Sequence, residues 1–295
     1  MSIDVTHSII KQIDSFPALP VTVTRVMDVT GDPESSADDL MQAILTDQSM
    51  CTTLLKVANS AFFGLPREVG SIDKAVMVLG FNEIRNIVLG KAVFNSFKDI
   101  YNTNKKTIDL FWQHSFICGL AAKIIAEDRG LSASELFVAG LIHDIGKLAM
   151  LMSLNSDYAH LLELSDPIQF RSYLTELDLF SVSHDDIGAR LLKRWLFPVS
   201  LIDAVGYHHR PNECPGTPVM PVIIQIADIL SLIHCNPQGI DSGDIMTIIN
   251  DFLPEIRELW KINNLDWSDD DLVRWQEELT ASSQRDNAMM NIISS

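Results

Sequence analysis

Residues 136–152 read LFVAGLIHDIGKLAMLM. Ser132 and Glu135 stand just upstream in capping-box spacing, and Leu136, Val138, Leu141 and Ile142 follow at helical spacing. The pair His143-Asp144 ends this apolar helix, and Gly146 and Lys147 come next. Adjacent side chains in mid-helix point about 100° apart, but at a helix end the backbone turns and neighbours can converge. The stretch therefore predicts a helix whose last residues offer an imidazole and a carboxylate from apolar surroundings.

The same helical signals recur outward in both directions, and strand signals do not. Ser36 precedes Leu40, Met41, Ile44 and Leu45, and Asp47 precedes Met50, Leu54, Val57 and Ala58. Ser71 opens a short helix that Gly80 stops, and Asn82 opens another. A polar run, residues 101–107, reads as a linker. A long helix follows from about Ile108 to Asp128, with Gly130 as its stop. Ser183 and Asp186 repeat the capping spacing before Ile187, Leu191 and Leu192. Val199 to His208 and the apolar stretch Val219 to His234 complete the central part. The reading is an all-α chain: an N-terminal helical subdomain over 1–104, a helical bundle over 105–235 packed against it, and an acidic helical tail over 236–295 with frayed last residues.

Six of the eight His lie between His114 and His209. His114, His143, His184, His208 and His209 sit at helix ends or on apolar faces, while His160 lies in a more polar stretch. Asp228 is the one charged residue in the apolar run Val219 to Ile233. A lone buried carboxylate costs several kcal/mol unless a cation or strong donors meet it. Imidazoles and carboxylates converging from several helices suit Zn, Fe, Mn or Ni ions. The competing reading is a hydrogen-bonded core of histidines with Asp228 as a buried ion-pair partner.

Several segments together resemble the HD superfamily of metal-dependent phosphohydrolases. They are Trp112-Gln-His114-Ser115, Gly140-Leu-Ile-His143-Asp144-Ile-Gly146-Lys147 and Ala227-Asp228. The more specific resemblance is to the HDOD family (HD-related output domain). It adds Leu19-Pro20, Asn59-Ser60-Ala61-Phe62-Phe63-Gly64, Ser71-Ile72, Leu79-Gly80, His184 to Ala189, and His208-His209-Arg210-Pro211. The resemblance implies metal ligands at His114, His143, Asp144 and Asp228. Relatives that hydrolyse cyclic di-GMP add three His and a Lys at positions matching His184, His208, His209 and Lys147. In those relatives the Asp matching Asp144 bridges two metals and the Lys matching Lys147 contacts phosphate. The GYP segment of those relatives is absent here, and Leu110 stands where a Glu would bring a third metal.

The resemblance implies a bacterial signalling output module that binds one or two divalent transition metals. The alternative is an active phosphohydrolase acting on a nucleotide or cyclic dinucleotide; a third is a scaffold with a vestigial polar core. Expected partners are signalling proteins or a small phosphorylated ligand, with oligomeric state open. His7, His160 and His234 match no motif position: the first two read as surface residues and His234 as structural. Asn59 and Ser60 read as a helix stop that bonds the preceding turn, with Phe62 and Phe63 packing into the N-terminal core.

The chain of 295 residues carries 22 Lys+Arg against 39 Asp+Glu, a formal net charge of −17. That balance excludes binding of nucleic-acid polymers by phosphate neutralisation. It leaves room for one small phosphate ligand at a local positive pocket built by metal, Lys147 and Arg210. The first twenty residues hold no continuous apolar run, and no stretch reaches about 18 uninterrupted apolar residues, so neither a leader nor a membrane span is expected. Four scattered cysteines without a CxxC read as reduced thiols, and a cytoplasmic location is expected.

Overall fold

The computed structural model describes residues 2–60, 62–98, 105–154, 158, 172–235 and 245–294. All regular structure among them is helical. The chain divides into two compact units: residues 17–108 with 281–295, and residues 1–16 with 109–280.

The first of these units is built on α2 (Val21–Gly31), α3 (Ala37–Leu45), α4 (Gln48–Ala58) and α5 (Ile72–Ser96). Ser36 and Asp39 cap α3 reciprocally: the Asp39 N–H donates to Ser36 Oγ, and the Ser36 N–H donates to Asp39 Oδ2. Asp47 Oδ1 accepts from the Met50 N–H at the start of α4. The core is Val23, Val26, Leu40, Ile44, Leu54, Val57, Ile84, Val88 and Leu89, each at most 1% exposed. Gly80 breaks α5 with φ 79°, at the position where the sequence places a stop between two helices. Asn59 and Ser60 end α4 as expected: Asn59 Nδ2 donates to Leu55 O and Ser60 Oγ to Val57 O. Asn59 also reaches ten residues ahead, donating to Val69 O and accepting from the Val69 N–H. Phe62 and Phe63 stay part-buried and pair edge to face at 5.1 Å.

The other unit opens with α1 (Ser2–Asp14). Sequence patterning did not announce α1 or α2. The segment VTVTRVMDVT is rich in β-branched residues, whose intrinsic helix preference is low, and Pro20 gives its start no polar cap. Burial of Val23 and Val26 settles its conformation. The polar run expected as a linker overlaps residues 99–104, outside the described residues, and its last three residues are already helical in α6 (Lys105–Arg129). Gly130 ends α6 with φ 67°, and the Leu131 N–H closes back on Ala126 O.

Next come α7 (Ala133–Ile142), α8 (Ile145–Leu154), α9 (Ser172–Phe180), α10 (His184–Arg194), α11 (Val199–Tyr207) and α12 (Val219–Cys235). The expected capping box at Ser132 does not form, because Glu135 instead accepts the Ser200 hydroxyl from α11 at 2.6 Å. Ser183 and Asp186 do pair at the start of α10. Val222, Ile223, Ile224, Ile226, Ala227, Ile229 and Leu230 of α12 are at most 1% exposed. Burial on this scale, about 1.5–3 kcal/mol for each large side chain, fixes α12 as the central helix. Residues 133–154 are long and apolar enough to cross a membrane by length and composition, but 89% of the most apolar window is buried inside the protein.

The stretch after residue 245 contributes α13 (Ile245–Phe252), α14 (Ile256–Ile262) and α15 (Asp269–Ser294). Trp260, Trp267 and Trp275 meet edge to face, and Trp275 Nε1 donates to Asp128 at the end of α6. Residues 245–280 are thus packed into this unit by aromatic contacts and ion pairs.

Candidate metal centre

Five elements of one unit bring seven polar side chains to a shared point. His114 comes from α6, His143 and Asp144 from the turn between α7 and α8, and His184 from the first residue of α10. His208 and His209 follow the end of α11, and Asp228 lies in the middle of α12. His143, Asp144, His184, His208 and Asp228 are each at most 3% exposed. One donor atom from each of His114, His143 and Asp228 falls within 4.8 Å of the others, and Asp144, His184, His208 and His209 make a second such group.

Asp144 faces both groups. Its Oδ2 lies 3.4 Å from His143 Nε2 and 3.7 Å from His114 Nε2. Its Oδ1 lies 3.0 Å from His184 Nε2 and 3.8 Å from His208 Nε2. Asp228 Oδ1 closes the first group at 3.1 Å from His114 Nε2 and 3.5 Å from His143 Nε2.

The far side of each ring explains why the Nε2 atoms point inward. His143 Nδ1 donates to Gly140 O and His208 Nδ1 to Val205 O, each at 2.8 Å. His184 Nδ1 donates to Glu176 Oε2 at 2.7 Å. Ser231 gives its hydroxyl proton to Asp228 O, so its oxygen accepts His114 Nδ1 at 2.9 Å. With Nδ1 protonated, Nε2 carries the lone pair a metal needs. Yet His114 and His143 face each other Nε2 to Nε2 at 3.4 Å, and His184 and His209 do so at 3.0 Å. Each pair therefore holds either one shared proton, as a hydrogen bond, or a cation between the two nitrogens.

Protons alone meet this need unevenly. Burial opposes the charge on His143, but Asp144 and further neighbours outweigh it and raise its pKa well above the usual range. Burial likewise opposes His184, and Glu176 and Asp144 raise it to about 9. Burial and the neighbouring charge on His143 push His208 down to about 4, and burial with His208 and His184 lowers His209. Burial raises the carboxyls of Asp144 and Asp228, but the surrounding imidazoles, joined at Asp144 by Lys147, hold both well below the carboxylate range.

The donor set fits divalent transition metals. Two donors at about 2.1 Å from one first-row ion lie about 3.0–3.4 Å apart on a coordination polyhedron. The contacts named above run from 3.0 Å to 3.8 Å, and the donors of each group all lie within 4.8 Å of one another. His208 Nε2 is a buried polar atom without a hydrogen bond, and a cation between it and Asp144 Oδ1 would satisfy it.

Local backbone geometry makes the convergence possible. A Cβ on Gly146 would fall 1.8 Å from His184 O and 2.8 Å from Gly188 N, so only glycine lets α8 and α10 approach this closely. A Cβ on Gly140 would meet the Gly119 Cα at 2.7 Å, which seats α7 on α6.

Other sequence expectations find definite places. Lys147 is buried with Nζ 2.6 Å from Asp144 Oδ2. Arg210 does not open toward the centre, which corrects the expected positive pocket. It is held by Asp185 at 2.8 Å, Asp186 at 3.1 Å and Glu213 at 3.7 Å, so its charge is already matched. His209 stacks on Tyr173 with centroids 4.4 Å apart. His7 is exposed, His234 is half-buried in α12, and His160 lies outside the described residues. Sequence reasoning missed Glu176, which is fully buried on His184.

A helical bundle that gathers the H…HD…D residues with three further histidines defines a protein of the HD type. The HDOD domain profile matches residues 16–211, and the chain belongs to that family. Its fold is similar to an HDOD domain protein of unknown function from Geobacter sulfurreducens, with TM-score 0.70 and 23% identity, covering 97% of this chain and 96% of that one. A candidate phosphohydrolase from Shewanella amazonensis is similar with TM-score 0.69 and 20% identity, covering 97% and 98%. At these identities the likeness shows the fold alone. An uncharacterized protein of Treponema pallidum is 24% identical over 210 residues, which span 70% of this chain and 40% of that relative.

Proposed function

We propose that this chain is a bacterial signalling output module whose His/Asp centre binds two divalent transition-metal ions. The observation that carries the reading is Asp144, whose two carboxylate oxygens face two separate histidine groups. One ion would be held by His114, His143, Asp228 and Asp144 Oδ2. The other would be held by His184, His208, His209 and Asp144 Oδ1. Fe, Mn, Zn and Ni all accept such nitrogen and oxygen donors. The four cysteines are free thiols, which supports a cytoplasmic setting. Partners are signalling proteins or a small phosphorylated ligand.

A second reading, hydrolysis of a phosphoester, is favoured by Lys147. Its ammonium is held at the centre by Asp144, and a bound phosphate oxygen would compete with Asp144 for it. Bound divalent ions supply Lewis-acid polarisation of a phosphoester and of water. Elemental analysis after metal loading tests the first reading, which expects two ions per chain and fails if none is retained. Turnover of bis(4-nitrophenyl) phosphate or a cyclic dinucleotide by the loaded protein tests the second. Turnover that a chelator abolishes supports it, and none with two ions bound rejects it while leaving the first intact.

A further inference from the structure

Glu176 sits in α9 with no motif around it, and it is fully buried. Its Oε2 accepts both the backbone N–H and the Nδ1–H of His184, each at 2.7 Å. Its Oε1 accepts the hydroxyl of Tyr158, itself fully buried, at 2.6 Å. Among His114, His143, His184 and His208, His184 alone is backed at Nδ1 by a carboxylate. His143 and His208 are backed by peptide carbonyls and His114 by the Ser231 hydroxyl.

The two histidine groups differ in charge for a related reason. Among the facing donors, the first holds Asp228 and is approached by Asp144 Oδ2, whereas the second has Asp144 as its one carboxylate; the buried Asp185 beside it is paired with Arg210. A carboxylate behind an imidazole fixes its orientation and tautomer and strengthens it as a donor. We propose that Glu176 is a positioning residue for the second metal ion. It supplies through His184 the negative charge that Asp228 supplies to the first ion by facing it directly. Tyr158 keeps the Glu176 carboxylate aimed at His184. The proposal rests on the two-ion reading above.

The test compares Glu176→Gln with Ser231→Ala by Zn²⁺ titration against a competing chelator, with ion counts by elemental analysis. Glutamine keeps the size of Glu176 and an acceptor for His184, and its amide can donate to the Tyr158 oxygen, so the fold is retained. The expected result is one ion bound with wild-type affinity and one weakened about 10–100-fold. Ser231→Ala should weaken one ion, and the double variant should weaken both, because the two changes act on different groups. Two ions bound with wild-type affinity by Glu176→Gln would overturn the proposal and leave Glu176 a structural contact. So would a double variant that still weakens only one ion. If Glu176→Gln melts well below the metal-free wild type, Glu176→Asp decides: a shortened carboxylate should restore part of the lost affinity, and no restoration overturns the proposal. Wild-type protein that binds no Zn²⁺ would instead overturn the two-ion reading, and this proposal with it.

Discussion

Asp144 Oδ1 and His208 Nε2 lie 3.8 Å apart, both buried and both without a hydrogen bond. A buried polar atom left unpaired costs about 1–3 kcal/mol, and Asp144 Oδ1 has the His184 ion pair at 3.0 Å while His208 Nε2 has no such partner, so a ligand serving both would be stabilising. A divalent cation at the histidine cluster would serve both.

Asp144 also neutralises Lys147. Asp144→Asn should therefore have two effects. It removes the shared carboxylate, so loading falls from two ions to one or none. It also leaves a buried ammonium unpaired, which destabilises the metal-free protein by about 3–5 kcal/mol. Urea unfolding with chelator present measures the second effect separately from the first. Equal stability of variant and wild type would contradict the buried ion pair.

Gly146→Ala should be more damaging than its size suggests. The added methyl would meet the His184 carbonyl and the Gly188 nitrogen, both backbone atoms that cannot rotate away. Overpacking of this kind costs about 1–3 kcal/mol and pushes α10 from α8. His184 would move with it, so metal loading should drop together with the unfolding midpoint. A variant of normal stability and full loading would show that the close approach is not needed.

Metal affinity should rise with pH. His184, raised to about 9, and His143, raised well above its usual range, hold protons that a metal must displace. The sign for the metal-free protein is the opposite. A raised histidine pKa stabilises the fold fully below about 6.5, and that contribution is lost as pH rises through the folded value. Lys91, lowered to about 8 by burial, acts in the contrary sense above that pH, so pH 6.5–8 is the informative window. Thermal melts across it should show the metal-free midpoint falling while the increment from added Zn²⁺ grows. A pH-independent increment would contradict protonated ligands.

Asn59→Ala should act on the other unit only. It removes bonds to Leu55 O, Val69 O and the Val69 N–H, each worth about 0.5–1.5 kcal/mol. Stability should fall while two ions per chain are retained. A loss of ions would contradict the assignment of all metal-facing side chains to the unit formed by residues 1–16 and 109–280.

Much of the fold was legible because helix starts and stops carry local signatures, as at Ser36, Asp47, Gly80 and Gly130. The centre was legible where a polar pair interrupts an apolar helix, as at His143-Asp144, or where a lone acid stands in one, as at Asp228. Glu176 was not legible. It looks like any acid in the amphipathic stretch Ser172–Phe180, and only the packing of α9 against α10 reveals it as a buried partner of His184. Arg210 misled for the converse reason. Its place beside His208-His209 suggested a phosphate contact, and the fold spends its charge on Asp185 and Asp186. The β-branched run of α2 shows a third limit, since burial and not local preference decides its shape.

Asp144, on the proposed function, joins two metal sites. The most direct test is the number of Zn²⁺ ions per chain after loading and exhaustive buffer exchange, for wild type and Asp144→Asn side by side. Two ions are expected for wild type and one or none for the variant. One ion or none in wild type, or two in both proteins, would contradict it.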